Sequence, residues 1–401
     1  MLSNKISVII PVVRPESAVK CIESIKKHLP GAEIITRVDH DRIGCPKMVN
    51  QLNREATREW IMFLGDDTEL TEDFEQALEP AINKIGWGVI GLNTEPMNCK
   101  AHWMAHRNML NILPDGVFFP EDYQHCYCDD ELYDVANENG RWAFAEGALV
   151  KHHHPINHGK MDEFYTDAYT NDRLDHDRRT YHQRKRKRLN KIAIGFPLVN
   201  DTVPVPFFTS FACMQKPVEY TLLFPEVSHG PWTGSIADAR NSLVAQALQD
   251  GASYLMMADT DQVYPQDALT KLLSHKVDIC GVKVHSRWFP YAPVFYRGSV
   301  GKYQFIPNEE MYSGKLVEID ATGTGCLLIN MEIFDRLEPP WFKFDMNKGN
   351  PVGEDIYFCH KAREAGIKIY VDTSIEVGHL ATMEINETLH KLCQKMAKTE
   401  D

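Results

Sequence analysis

The chain has 401 residues, a length typical of two domains, with the 43% hydrophobic and 25% charged residues of an ordinary globular protein. Its formal net charge of −13 disfavours electrostatic capture of nucleic acid over the whole surface. The ten cysteines form no CxxC pair, which disfavours a zinc ribbon or a disulfide framework. No apolar run reaches the ~18 residues of a membrane span, and the apolar segment before Pro11 is too short for a secretory signal. We therefore expect a reduced, cytoplasmic protein.

Each half of the chain contains the same four landmarks in the same order. These are a short apolar strand with a proline, a strand that runs into carboxylates, an acidic pair followed by a hydrophobe and a tyrosine, and a strand that ends in histidine. In the first half they are residues 6–15, 59–70, 128–140 and 148–155, and in the second half residues 192–199, 253–265, 353–366 and 367–380. Short apolar runs followed by longer helical patterns predict buried strands of an α/β fold. The repeated order predicts a tandem duplication of one domain.

A basic run separates the two halves. Of the last fourteen residues of the segment 177–191, eight are Lys or Arg. Short charge blocks are usually solvated connectors, so we predict a first domain at 1–165, a basic linker at 166–191 and a second domain at 192–401. A local docking site for an anionic acceptor is the alternative interpretation of this run.

Two carboxylates at a strand end in the second half indicate metal chemistry. Asp259 and Asp261 are two positions apart, and side chains at i and i+2 of an extended chain face the same way. Open α/β sheets bind ligands beyond the carboxyl ends of their strands. Oxygen ligands suit Mn²⁺ or Mg²⁺, and such a cation would stabilise a departing diphosphate. His379 is a further candidate ligand or a structural hydrogen-bonding residue.

Other second-half residues are candidates for the same site. Arg240, with Asn241 beside it on the preceding helix, is suited to contact a nucleotide or its phosphates. Asp355 or Glu354 is a candidate general base for an acceptor hydroxyl, and an acidic helix start that favours the dipole is the alternative. Gly325 precedes an apolar strand, where glycine permits close approach of the backbone to a ligand or simply forms a turn.

The second half resembles a GT-A glycosyltransferase of the family 2 type, similar to proteins often encoded by bacteriophages and bacterial surface-sugar loci. The segments responsible are ARNSLV (239–244), LMMADTDQVYP (255–265), DICGVKV (278–284), GTGCLLI (323–329), GEDIYFC (353–359) and VDTSIEVGHL (371–380). The resemblance implies a nucleotide-sugar donor, usually a UDP-sugar. It makes Asp259 and Asp261 the nucleotide and metal carboxylates. It also makes Asp355 the base and His379 the third metal ligand, and a base opposite the leaving group implies inversion at the anomeric carbon.

The first half resembles the same family over about residues 5–160. IIPVVRP is similar to the family's first strand and nucleotide-binding loop, which assigns Pro11 to donor binding. KMVNQLNREATREWIMFLGDDT (47–68) resembles the helix and strand that lead to the metal motif. Asp66 aligns with Asp259, and Asp67 substitutes for the second carboxylate because the aligned position is a threonine.

The remaining first-half assignments rest on the acidic pair and the histidine run. The resemblance implies Asp130 or Glu131 as the base and His152 or His154 near the metal. The expected activity is metal-dependent glycosyl transfer to an acceptor hydroxyl, in two successive steps if both halves are active. A catalytic second half with a sugar-binding or scaffold first half is the alternative, and a sugar nucleotidyltransferase is a weaker one. The expected acceptor is a glycan, a protein or a modified DNA base. The expected location is the cytoplasm, which is that of the host if the protein is phage-encoded.

Overall fold

The computed structural model describes residues 1–95, 100–153, 166, 168–198, 202–217, 219–225, 234–347, 350–383, 385–387, 390–391 and 394. The chain divides into two compact units, Met1–Arg188 and Leu189–Asp401, named unit 1 and unit 2. In the described part of the chain, no helix has both the length and the hydropathy needed to cross a membrane.

Unit 1 is built from seven strands and the helices between them. The strands are β1 (Ile6–Val12), β2 (Glu33–Val38), β3 (Trp60–Phe63), β4 (Thr68–Leu70), β5 (Val89–Glu95), β6 (Trp103–His106) and β7 (Trp142–His152). The helices are α1 (Pro15–His28), α2 (Cys45–Glu55), α3 (Phe74–Ile85), α4 (Cys128–Glu138) and α5 (Asn171–Leu189). β1 is almost wholly buried, because both faces of the sheet are covered by apolar clusters. α1 begins at Pro15, whose fixed φ suits a first helical turn.

The sheet of unit 1 is mixed. Its strand order is β2-β1-β3-β6-β5-β7-β4. β6 runs antiparallel to both of its neighbours, β4 runs antiparallel to β7, and the other pairs are parallel. The carboxyl ends of β1 and β3 therefore meet at one edge of the sheet, where ligands bind in α/β folds.

Unit 2 has more strands than unit 1, but its main sheet has the same topology. Its strands are β8 (Lys191–Gly195), β9 (Tyr220–Leu223), β10 (Ala252–Ala258), β11 (Gln262–Val263), β12 (Ile279–Val284), β13 (Phe295–Arg297), β14 (Gln304–Phe305), β15 (Leu316–Ile319), β16 (Ala321–Thr322), β17 (Cys326–Asn330), β18 (Asp345–Asn347), β19 (Asn350–Val352) and β20 (Ile369–His379). Its helices are α6 (Val205–Cys213), α7 (Ile236–Gln249), α8 (Ala268–Ser274), α9 (Asn308–Met311) and α10 (Glu354–Glu364). A capping box between Ser235 and Asp238 starts α7.

The two units share one topology. The main sheet of unit 2 has the order β9-β8-β10-β17-β12-β20-β11, and each pair has the same direction as its counterpart in unit 1. β15 pairs with β20 outside this path, and β13, β14 and β16 form a separate small sheet. The predicted fold class, α/β with two tandem Rossmann-like sheets, is confirmed.

The last long strands of the two sheets correspond residue by residue. β7 and β20 each shift register after their fourth residue, against β5 and β12 respectively. Both strands end in a histidine, and both histidines pair with the first residue of a short edge strand: Thr68 with His152, and Gln262 with His379. His152 and His379 are therefore equivalent, and the residues before Thr68 and Gln262 are Asp67 and Asp261.

The basic run predicted as a linker is a helix of unit 1 instead. α5 carries it, and Nε of Arg184 donates a hydrogen bond to Glu131 at 2.7 Å. Asp177 of α5 is fully buried and accepts the backbone N–H groups of residues 124–126 at 2.7–2.8 Å. A helix that is polar all round is stabilised by such pairs rather than by an apolar face. Charge content alone does not distinguish this helix from a solvated connector.

Candidate functional site

The strand end of β10 is joined to helix α10 through a buried arginine. Nη2 of Arg240 on α7 donates to both oxygens of Asp259, at 3.0 and 3.3 Å. The other terminal nitrogen of Arg240 contacts Glu354, and both of these residues are buried. Glu354 is therefore the counter-ion of a buried guanidinium. Because a carboxylate paired with a guanidinium is not free to accept a proton, Glu354 does not suit the predicted alternative role of general base.

Asp355, the second residue of α10, is therefore the remaining candidate for the general base. Burial, followed by repulsion from Glu354, raises its pKa to about 6. Two glycines lie against it: a Cβ on Gly353 would stand 2.8 Å from Oδ1, and a Cβ on Gly323 would stand 3.8 Å from Oδ2. A carboxylate with this pKa is ionised at neutral pH and is more basic than an ordinary aspartate, as a general base requires.

Asp261 and His379 form a second pair at the same edge of the sheet. Nε2 of His379 lies 3.4 Å from Oδ2 of Asp261, and Nδ1 donates to the carbonyl oxygen of His285 at 2.8 Å. The contact between them lowers the pKa of Asp261 and raises that of His379. Nη1 of Arg287 lies 2.9 Å from the same carboxylate oxygen. The structure thus brings two of the predicted metal ligands together.

Gly325 packs closely against two side chains of the site. A Cβ there would overlap the Gln262 amide and lie 2.9 Å from Oδ2 of Asp259. Three buried polar atoms around this point have no hydrogen-bond partner among the described residues: Arg240 Nε, Gln262 Oε1 and Thr324 Oγ1. Because buried polar atoms are normally satisfied, these atoms give the site hydrogen-bonding capacity for a ligand.

Asn241 has a positioning role instead of the predicted nucleotide contact. Its Nδ2 donates to the carbonyls of Ala237 and Phe342 at 2.9 and 2.7 Å. Its Oδ1 accepts from the backbone N–H groups of Trp341 and Phe342 at 2.9 and 3.0 Å. These four bonds use the whole hydrogen-bonding capacity of the amide. Asn241 therefore holds the segment that contains Trp341 against α7.

In unit 1 the strand-end carboxylate, Asp66, is bound by Val13 and Arg14, which follow β1, and not by a residue of a helix. Asp66 follows β3, and its Oδ2 accepts from the backbone N–H groups of Val13 and Arg14 at 2.7 and 2.6 Å. Its Oδ1 accepts from Nε and Nη2 of Arg14 at 3.1 and 2.6 Å. Nη2 of Arg14 also lies 3.2 Å from Oδ2 of Asp67. One guanidinium therefore bridges the two carboxylates that were predicted to hold a metal.

Asp67 and His152 repeat the pair formed by Asp261 and His379. Nε2 of His152 lies 3.3 Å from Oδ1 of Asp67. The carbonyl of Asp67 accepts a hydrogen bond from the residue after His152 at 2.9 Å, and that of Asp261 accepts one from the residue after His379 at 2.7 Å. His152 thus occupies the position that the sequence left open between two histidines. His154, the other candidate, lies outside the described residues.

Asp129 occupies in unit 1 the position of Asp355. Each is the second residue of an eleven-residue helix, and each helix is followed by a glycine with positive φ, 64° at Gly140 and 75° at Gly366. Burial, followed by repulsion from Asp130, raises the pKa of Asp129 to about 6. Sequence reasoning missed Asp129 because it aligned the helices on the distant histidines. The glycine that ends each helix is the signal that finds it.

The predicted bases of unit 1 have other partners. Oδ1 of Asp130 lies 2.6 Å from Nζ of Lys100. Glu131 is buried and accepts hydrogen bonds from the Tyr123 hydroxyl at 2.6 Å and from Nε of Arg184 at 2.7 Å. A buried carboxylate with these partners is structural. The assignment is corrected accordingly: Glu131 anchors α5, and Asp130 forms an ion pair at the edge of the site.

A cavity of about 480 Å³ contains the site of unit 1. This volume is within the range of small-molecule sites. Its polar lining includes Arg14, Asp39, Asp66, Asp67, Asp129, Asp130 and His152, and the rest of its lining includes Pro11 and the aromatic residues Phe63, Phe119, Tyr127 and Tyr169. The predicted first-half residues Pro11, Asp66 and Asp67 therefore converge on one cavity with Asp129.

The two units differ in how their residues fit a divalent cation. Among the described residues, no group of three or more His, Cys, Asp and Glu is placed to hold a metal ion, so the predicted three-ligand sets are not formed there. In unit 1 the side chains of Asp66 and Asp67 are only 2% and 5% exposed and share Arg14, and they do not fit a cation. In unit 2 the side chain of Asp261 is 34% exposed. With His379 it fits a cation that displaces the half-exposed Arg287 and takes its other ligands from substrate phosphates.

Comparison with known proteins gives structural similarity of low degree. No protein-family model matches the sequence, and no match is found among curated proteins. The crystal structure of A197 from STIV is similar over 48% of this chain and 86% of that chain, with 16% identity and a TM-score of 0.34. Residues 1–349 of S. aureus TarS in complex with UDP-GlcNAc are similar over 46% of this chain and 65% of that chain, with 12% identity and a TM-score of 0.34. Similarity of this degree carries no argument about substrate or mechanism.

Proposed function

We propose that the protein is a glycosyltransferase of GT-A type that moves a sugar from a nucleotide-sugar donor, a UDP-sugar, to an acceptor hydroxyl. One observation carries the proposal. Each unit combines a strand-end aspartate that faces a histidine with a helix-start aspartate whose pKa is raised to about 6. Carboxylates whose environments separate their pKa values have separate roles in acid–base chemistry. Both units have the same topology and the same arrangement of these residues, and this supports a common reaction.

In unit 2 we assign the proton transfer to Asp355. Its carboxylate takes the proton of the acceptor hydroxyl as the hydroxyl oxygen bonds to the anomeric carbon. The bond from that carbon to the diphosphate oxygen breaks, and its electron pair leaves on the nucleoside diphosphate. This single displacement inverts the anomeric configuration. Arg240 holds Asp259 at the strand end and Glu354 at the helix start, which fixes the base relative to the donor.

For unit 2 we propose Mn²⁺ or Mg²⁺ at Asp261 and His379. When bound, the cation supplies positive charge to the departing diphosphate. Asp259, already paired with Arg240, has the role of a nucleotide-binding carboxylate. The unpartnered buried atoms beside Gly325 add hydrogen-bonding capacity to the same region.

For unit 1 we propose Asp129 as the base of a second transfer. A sugar-binding role without turnover is the second candidate, and one observation favours it: Arg14 forms ion pairs with both Asp66 and Asp67, whose side chains are almost inaccessible. The aromatic and carboxylate lining of the cavity suits a sugar ring under either role. Variants of the two bases distinguish the two candidates.

The test is a donor screen. The protein is incubated with Mn²⁺ and a panel of UDP-, GDP- and CMP-sugars that includes UDP-GlcNAc, with and without candidate acceptors, and the released nucleotide is identified. Release of a nucleoside diphosphate that falls in Asp355→Asn, and is lost when Asp129→Asn is combined with it, supports the proposal. Release of pyrophosphate would establish a nucleotidyltransferase instead, and no release from any donor would overturn the assignment.

A further inference from the structure

An aromatic loop stands beside the site of unit 2. Residues 286–292 connect β12 to β13 and are closed by backbone hydrogen bonds, from Ser286 to Ala292 at 2.9 Å and from Tyr291 to Trp288 at 2.7 Å. Trp288 and Phe289 are 81% and 83% exposed, and Tyr291 is 49% exposed. Large aromatic side chains concentrated on one exposed loop are typical of a binding surface.

The first end of the loop contacts the Asp261–His379 pair. The carbonyl oxygen of His285 accepts the hydrogen bond from Nδ1 of His379 at 2.8 Å. Arg287, within the loop, lies 2.9 Å from Asp261. The first half of the loop is therefore tied to the residues assigned to the donor diphosphate.

The second end of the loop is bonded to a residue that lies next to Asp355, the assigned general base. The carbonyl of Val294 accepts hydrogen bonds from the Gly323 backbone N–H and the Thr322 hydroxyl, both at 3.1 Å. Gly323 is the residue whose Cβ would stand 3.8 Å from Oδ2 of Asp355. The loop thus arises between the assigned donor site and the assigned base, the position from which an acceptor must present its hydroxyl.

The charges of this region disfavour a polyanion. Across residues 283–294, the Lys and Arg side chains each face a carboxylate: Lys283 lies 3.3 Å from Glu376, and Arg287 lies 2.9 Å from Asp261. A phosphate backbone needs several basic side chains that are not already paired. An uncharged sugar ring needs none, because its C–H face packs on the electron-rich face of an aromatic ring.

We propose that Trp288, Phe289 and Tyr291 form the acceptor subsite of unit 2 and that the acceptor is a neutral saccharide. This inference rests on the proposed glycosyl transfer and names its acceptor class. The aromatic rings hold the terminal sugar of the acceptor, and one of its hydroxyl groups reaches Asp355. A nucleic-acid acceptor at this loop is the outcome that the test must exclude.

The experiment measures acceptor kinetics and direct binding. With saturating donor, neutral tetrasaccharides of glucose, galactose, mannose and N-acetylglucosamine are compared with a short single-stranded DNA. In Trp288→Ala and Phe289→Ala the acceptor KM rises about tenfold or more, and Trp288→Phe restores most of the affinity. Tyr220→Ala is the control, because Tyr220 is an exposed aromatic at the start of β9, the opposite end of the strands.

A second measurement separates this inference from the proposed function. Saccharide titration without donor changes the tryptophan fluorescence of the wild-type protein, and Trp288→Phe loses that change. Nucleotide release with an unaltered acceptor KM in the alanine variants would overturn the subsite while the function stands. Transfer only to DNA, with steep salt dependence, would also overturn it. Absence of nucleotide release from every donor would overturn the function, while the titration still decides whether the loop binds saccharide.

Discussion

Arg14 donates three hydrogen bonds to Asp66, one from its backbone and two from its guanidinium. In unit 2 the strand-end carboxylate Asp259 is held instead by Arg240, which comes from a helix rather than from the loop after the first strand. The two copies therefore neutralise the same kind of carboxylate from different elements. In unit 1 the guanidinium also bridges to Asp67, so it stands where a cation would bind.

We predict that the chain binds a single Mn²⁺, in unit 2 and only with nucleotide present. Asp261 and His379 supply two ligands, and the diphosphate must supply further ones. Electron paramagnetic resonance titration in the presence of UDP should give one bound Mn²⁺ per chain. Asp261→Asn should abolish that binding, and the matched variant Asp67→Asn in unit 1 should leave it intact. Two equivalents of bound Mn²⁺ would contradict the difference between the units.

Asp355→Asn should lower transfer by unit 2 by about a hundredfold or more, because the amide cannot accept the proton of the acceptor. Asp129→Asn tests unit 1 in the same way. The assay is product analysis of successive transfers. If Asp129→Asn leaves every product unchanged, unit 1 is a binding domain.

The rate should depend on pH through the state of the base. The pKa of Asp355 is raised to about 6, and the protonated acid cannot accept a proton. Transfer by unit 2 should therefore fall as the pH drops through about 6 and level off above it. The profile is best recorded in the Asp129→Asn background, which isolates unit 2. A rate that stays constant from about pH 5 to pH 7 would exclude Asp355 as the titrating base.

Removing the buried charge should stabilise the fold. Because the folded pKa of Asp355 is raised from 3.8 to about 6, the wild-type protein loses stability as the pH rises through that window. Asp355→Asn has no such loss and should gain roughly 1 kcal/mol of unfolding free energy above about pH 7. Urea denaturation should show this gain shrinking towards pH 4. The exposed carboxylate of Glu364, changed to Gln, should give no comparable gain.

Arg184→Ala should destabilise unit 1 by about 3 kcal/mol, because buried Glu131 loses the closer of its two charged partners and keeps only Arg188 at 3.8 Å. Arg178→Ala is the control on the same helix, since Arg178 pairs with an exposed aspartate and should cost less than about 1 kcal/mol. Thermal denaturation of both variants measures the difference. Equal stability of the two would mean that α5 is not part of unit 1.

Spacing along one strand was sufficient to predict which residues of unit 2 lie at the strand ends. Asp259, Asp261 and His379 were identified because each follows a buried apolar strand, and the structure brings Asp261 and His379 into contact. Prediction from sequence failed where two elements had to be matched across the duplication. The spacing to the histidines pointed to Asp130 or Glu131 and not to Asp129, because that count was uncertain by one residue or more. The helix-ending glycines, Gly140 and Gly366, remove that uncertainty.

By itself, the sequence determined the α/β class, the duplication and the strand-end carboxylates, because these depend on local periodicity and on short-range order. Only the tertiary structure decided which groups neutralise those carboxylates: Arg14 is 52 positions from Asp66, and Glu354 is 114 positions from Arg240. It also decided that α5 is an integral helix of unit 1. Burial and ion pairing depend on residues distant in the chain, and the side-chain pattern of one segment carries no information about them.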